Sequence, residues 1–124
     1  VVSINGAMSH SPDPFFMVGG AVNAAFLNFS KALSKRGLVD GVNVNSINPG
    51  MTSTDRLITI IQSNADREGI SFAEAEKKAL ENIGLDRFGA PEEVAELTYF
   101  LCNPNMRHLT GTEINLDGGK KTTI

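Results

Sequence analysis

Two short stretches of this 124-residue chain hold residue types that could do chemistry. One is the loop from Gly6 to Phe15, where His10 and Asp13 are the titratable groups able to give or take a proton. The other is Asn48-Pro49-Gly50-Met51-Thr52-Ser53-Thr54, a strand breaker followed by three hydroxyls. Each has an ordinary reading as well. A loop histidine is often only solvated, Asp13 between two prolines suits a turn, and Thr54 suits the N-cap of a following helix. Tyr99, the one tyrosine, falls within a late helical stretch, and His108 follows that stretch and reads as surface. Cys102 is the only cysteine, so neither an internal disulfide nor a cysteine metal cluster can form, which fits a reducing, cytoplasmic setting.

These groups need positioning, and the pattern of the chain names the elements. Val1–Asn5 reads as a strand. The loop follows, and then a helix over about 17–36 with Val18, Val22, Ala25, Phe26, Phe29 and Leu33 recurring at helical spacing and Gly37 as its stop. Two adjacent glycines, Gly19 and Gly20, sit in its first turns, where each costs about 1 kcal/mol relative to alanine. Residues 42–47 form a polar strand, and helices follow over about 55–67 and from Ser71 to Gly84. Ser71 and Glu74 have capping-box spacing. Pro91 suits the first position of another helix, whose inward stripe is Val94, Leu97, Thr98 and Leu101. Thr112–Leu116 is the last strand. Strands alternating with helices predict an α/β fold with a parallel sheet of three strands. The first strand then has a free edge, which invites pairing with another segment.

Composition bounds the partners. A net charge of −3 with scattered Lys and Arg argues against a nucleic-acid footprint. No apolar run reaches bilayer-spanning length, which argues against a membrane-spanning role. The chain opens on VVSIN, already within a strand-like run, and so reads as the tail of a longer chain.

VNVNSINPGMTST, DRFGAPEEVAELTYFL and LTGTEINLDGG, together with AAFLNFSKAL, resemble the short-chain dehydrogenase/reductase family in order and spacing. The likeness corresponds to the second half of a family member. It implies that residues 1–124 are the C-terminal half of a Rossmann-like, doubly wound parallel sheet. The glycine-rich turn that holds a dinucleotide pyrophosphate in the family's first half has no counterpart here. The resemblance therefore implies NAD or NADP in a full-length chain and little binding by these residues alone. It also implies a small carbonyl or alcohol substrate and a homo-oligomer, either dimer or tetramer.

The same resemblance assigns residues. The family's Pro-Gly-x-x-x-Thr turn, which meets the nicotinamide carboxamide, falls on Pro49, Gly50, Met51 and Thr54; proline and glycine there let the backbone approach a flat ligand. The family's catalytic Ser, Tyr and Lys positions fall on Gly6, Gly19 and Asn23. Glycine has no proton to give and asparagine no charge to shift a neighbour's pKa. Three readings follow: an oxidoreductase of which this chain is the C-terminal half, a catalytically silent relative kept for assembly or ligand binding, and a dehydrogenase drawing an atypical acid, His10 or Asp13, from its loop.

Overall fold

Local capping signals set most of the helices in the computed structural model, which describes residues 1–121. Helix α3 (Phe72–Ile83) opens on the expected box. The Glu74 N–H donates to the Ser71 hydroxyl at 3.3 Å, and the Ser71 N–H donates to the Glu74 carboxylate at 2.9 Å. Gly84 closes it in the left-handed conformation at φ 69°. Helix α4 (Pro91–Leu101) has proline at its first position, and Glu93 accepts the Ala90 N–H at 2.7 Å. Helix α2 spans Asp55–Glu68.

Helix α1 runs farther than the sequence predicts, from Met17 to Asp40, with left-handed Gly41 as its stop. Gly37 does a different job inside it. A Cβ there would sit 2.3 Å from the Val42 carbonyl oxygen, so glycine is what lets the returning chain pass close to the helix. The apolar stripe of α1 also departs from expectation. Val18, Val22, Phe26 and Phe29 are all exposed, whereas the buried residues are Ser30, Ser34 and Gly37. The helix seats itself on the sheet through small residues, which permit close approach, and leaves its apolar face outward.

Strands β1 (Val2–Ile4), β2 (Asn45–Pro49) and β3 (Glu113–Leu116) form a parallel sheet in the order β1-β2-β3. The register pairs Ser3 with Ser46 and Ile4 with Ile47, then Ser46 with Glu113 and Asn48 with Asn115. The second strand begins later than the sequence predicts because Val42–Val44 belong to the turn after Gly41. Within these residues β1 pairs on one side only. The apolar core is built mainly by α2 and α3, where Leu57, Ile61, Ala65, Ala75 and Phe88 pack together. Of the α4 stripe only Leu101 is fully buried, with Val94, Leu97 and Thr98 half-buried. The fold is thus a three-stranded parallel sheet with alternating helices, the α/β arrangement of the Rossmann-like type that the sequence predicts.

Candidate functional site

The carboxyl ends of parallel strands are where α/β folds place ligands, and here they open onto a cleft of about 810 Å³. Asn5 and Gly6 leave β1, Pro49 and Gly50 leave β2, and Leu116 and Asp117 leave β3, all at its wall. A Cβ at Gly50 would lie 3.0 Å from the Asp117 Cα, so the two strand ends cross closely there. Beyond Gly50 the chain is held extended: the Gly89 N–H donates to the Met51 carbonyl at 2.9 Å and the Ser53 N–H to the Gly89 carbonyl at 2.8 Å. Among the described residues the Met51 and Thr52 N–H groups make no hydrogen bond. Thr54 is the residue before α2, but its hydroxyl donates to the Thr52 carbonyl at 3.3 Å rather than capping the helix. Pro49, Gly50, Met51 and Thr54 therefore all line one cleft, with backbone donors to spare. That set fits a flat ligand edge carrying a carbonyl and an amide.

Gly6 and Asn23 meet across the cleft. A Cβ at Gly6 would fall 2.7 Å from the Asn23 Nδ2. Gly19 lies one helical turn before Asn23, and the space outside it is filled: a Cβ there would be 2.1 Å from Cε1 and Cζ of the Phe16 ring. Gly20 is pressed against the turn Ala7–Ser9, with its would-be Cβ 3.2 Å from the Met8 carbonyl oxygen. The paired glycines thus accommodate a ring and a backbone turn at the mouth of α1, and Phe16 presents an aromatic wall to the cleft.

His10 and Asp13 lie elsewhere. The His10 Nε2 meets the Glu113 Oε1 at 2.6 Å, and His10 lines a second, smaller cavity of about 460 Å³ between α1 and the sheet. Asp13 accepts the Phe15 N–H at 2.7 Å and so shapes the loop. Tyr99 is 79% exposed on α4, which removes it from the cleft. The cleft's rim carries an ion pair: Arg87 grips Glu93 through two contacts of 2.9 Å. This guanidinium, with the Ala90 N–H, holds the Glu93 carboxyl down at about 2.

No motif marks Asn5 or Glu113 as site residues, and Asn48 is legible in the sequence only as part of a strand breaker. Asn48 is fully buried, and its amide donates to Glu113 and, at 3.3 Å, to Asn115. The signal was present as polar residues at alternating strand positions, Ser3 and Asn5, Ser46 and Asn48, Glu113 and Asn115. Only the strand register brings them together.

Comparison with known proteins places this geometry. Residues 1–121 match the family described as enoyl-(acyl carrier protein) reductase. The NADPH-dependent reductase BacG of Bacillus subtilis (strain 168) is 31% identical over 124 residues, covering 100% of this chain and 48% of that protein. The 3-oxoacyl-(acyl-carrier-protein) reductase FabG of Aquifex aeolicus (strain VF5) is 36% identical over 96 residues, 77% of this chain and 34% of that protein. Among solved structures, an NADPH-bound short chain oxidoreductase from Pseudomonas aeruginosa PAO1, described as containing an atypical catalytic center, superposes with a TM-score of 0.80. It is 27% identical, over 99% of this chain and 46% of that one. This chain spans about half the length of the relatives it matches.

Proposed function

The chain belongs to the short-chain dehydrogenase/reductase family, and from that premise we propose that it is the C-terminal half of the catalytic domain of an NADPH-dependent reductase of small carbonyl compounds. The observation that carries this reading is the convergence of Pro49, Gly50, Met51 and Thr54 with Gly6 and Asn23 on one cleft at the carboxyl ends of the strands. When bound, a reduced nicotinamide supplies a hydride to a carbonyl carbon. This chain's residues would do the rest: the free Met51 and Thr52 N–H groups orient the carboxamide, and Phe16 and the apolar wall exclude water. Support for NADPH comes from the relatives, BacG being named for it and the Pseudomonas enzyme having been solved with it.

We place the family's proton-donating and charge-bearing positions on Gly6, Gly19 and Asn23. On that assignment no phenol or ammonium stands in the corner where the carbonyl oxygen would sit, so turnover by the ordinary route is slow. The apolar stripe along α1 is proposed as the face of a homodimer or tetramer, its exposed Phe26 and Phe29 rings stacked at 6.2 Å. A full-length protein titrated with NADPH and NADH, then assayed on a panel of small ketones, tests the reading. Saturable NADPH binding with weak reduction is expected, and no binding of either nucleotide would overturn it. Binding without any turnover would favour the second reading, a silent member kept for ligand binding or assembly.

A further inference from the structure

The sheet face beneath α1 is polar where an α/β core is ordinarily apolar. Strand alternation puts Ser3, Ser46 and Glu113 in one cross-strand row on that face. Asn5, one residue beyond the Ile4–Ile47 pair, falls beside Asn48 and Asn115 in a second row. Helix α1 closes over the first row with Ser30, whose hydroxyl donates to Ser3 at 3.0 Å, while Ser3 and Ser46 are linked at 2.8 Å. The Asn48 amide joins the rows by donating to Glu113, and Glu113 holds His10 at 2.6 Å. One end of this layer is the cavity of about 460 Å³ that His10, Ser9 and Glu113 line. The other end is the Asn5–Gly6–Asn23 corner of the large cleft.

Four buried atoms in this layer find no partner among the described residues: both amide atoms of Asn5, the Oδ1 of Asn48 and the hydroxyl of Ser9. Leaving such an atom unpaired costs about 1–3 kcal/mol, and native proteins satisfy such atoms with ordered water. Of these residues Ser9 lines the smaller cavity, Asn5 lines the large cleft, and Asn48 donates to the Glu113 carboxylate that holds His10.

We infer that this layer is a proton path, with His10 as the positioning residue at its outer end and the Asn5–Gly6–Asn23 corner as its inner end. The inference rests on the reductase reading and deepens it by naming a proton source. In the step it would serve, a reduced nicotinamide held at Pro49–Thr54 would supply the hydride and its two electrons for the new C–H bond, and the carbonyl π pair would move onto oxygen. The new O–H bond takes a proton from water held by the Asn5 and Asn48 amides. That water is reprotonated through the Ser9 hydroxyl from His10, and His10 from solvent. Glu113 orients the imidazole by accepting from Nε2, leaving Nδ1 to exchange. The charged groups around His10 are Glu113 on β3, Lys121 with its Nζ 3.9 Å from Glu113, and Lys31 on α1 at the same cavity; Asp13, in the same loop, is engaged by the Phe15 N–H.

The test uses the full-length protein, His10→Gln and Ser9→Ala, with two readouts. One is the pH profile of ketone reduction. The other is the titration midpoint of the His10 ring by NMR with and without NADPH, His108 serving as the internal control. The expected result is a rate that falls as pH rises through the His10 midpoint. Both variants should lose about 10²-fold in turnover, the lower end for a positioned proton donor, with NADPH affinity unchanged. NADPH binding should also move the His10 midpoint but not that of His108, and Ser9→Ala should abolish the movement. If reduction proceeds and both variants match the wild type, the path is overturned while the reductase reading stands. If there is no reduction, the reductase reading fails and the path, which rests on it, falls with it, even where NADPH moves the His10 midpoint.

Discussion

Restoring a phenol at residue 19 is the sharpest test of the site assignment, and the structure shows why the simple substitution must fail. A Cβ at Gly19 would stand 2.1 Å from the Phe16 ring, far inside contact distance. Gly19→Ala would ordinarily gain about 1 kcal/mol of helix propensity. Here it must first expel Phe16, which is only 39% exposed, and losing that burial costs about 1–2 kcal/mol. The two effects oppose, so Gly19→Ala alone is expected to be neutral or destabilising. In a Phe16→Ala background the same change is expected to stabilise by about 1 kcal/mol. The double-mutant cycle read by urea denaturation measures that coupling, which should be about 1–2 kcal/mol. The catalytic variant then combines Phe16→Ala, Gly19→Tyr, Asn23→Lys and Gly6→Ser. A Cβ at Gly6 would meet the Asn23 Nδ2 at 2.7 Å, so the lysine placed at 23 must turn its chain away from residue 6. A positioned acid contributes about 10²–10⁴-fold, so even a poorly seated phenol should raise ketone reduction measurably over the wild type in the full-length protein. Additive stabilities, or a variant that folds and binds NADPH yet gains no rate, would refute the placement of these residues.

Three further outcomes are expected. Residues 1–124 produced alone should not bind NADPH with micromolar or better affinity, measured by nicotinamide fluorescence, because the matched relatives are about twice this length. Phe26→Glu with Phe29→Glu should shift the full-length protein toward monomer in sedimentation at tens of micromolar, since both rings lie on the exposed stripe of α1; an unchanged oligomer would remove that face from the interface. Glu93 is held down to about 2 by Arg87 and the Ala90 N–H, against an ordinary 4.5, so its contribution is full above 4.5 and is lost as pH falls toward 2. Glu93→Gln should therefore flatten that part of the thermal-stability profile, by a small amount because the pair is exposed and screened.

Local chemistry carried most of the element boundaries into the sequence itself. The Ser71–Glu74 box, Gly84 and Pro91 act within one helical turn, so three residues suffice to announce them. The family motifs placed Pro49, Gly50, Met51 and Thr54 at a turn, and all four line the cleft. Periodicity also announced α1 and its apolar stripe, but periodicity only says that such residues share a face. Which face meets the sheet was decided by close approach, which small Ser30, Ser34 and Gly37 allow and Phe26 and Phe29 do not. Likewise, single polar residues in three separate strands carry little meaning until the parallel register sets Ser3 beside Ser46 and Ser46 beside Glu113. His10 looked like a loop acid, but it meets Glu113, more than a hundred residues away in the chain. Such pairings depend on how strands and helices return through space, and only the tertiary structure decides that.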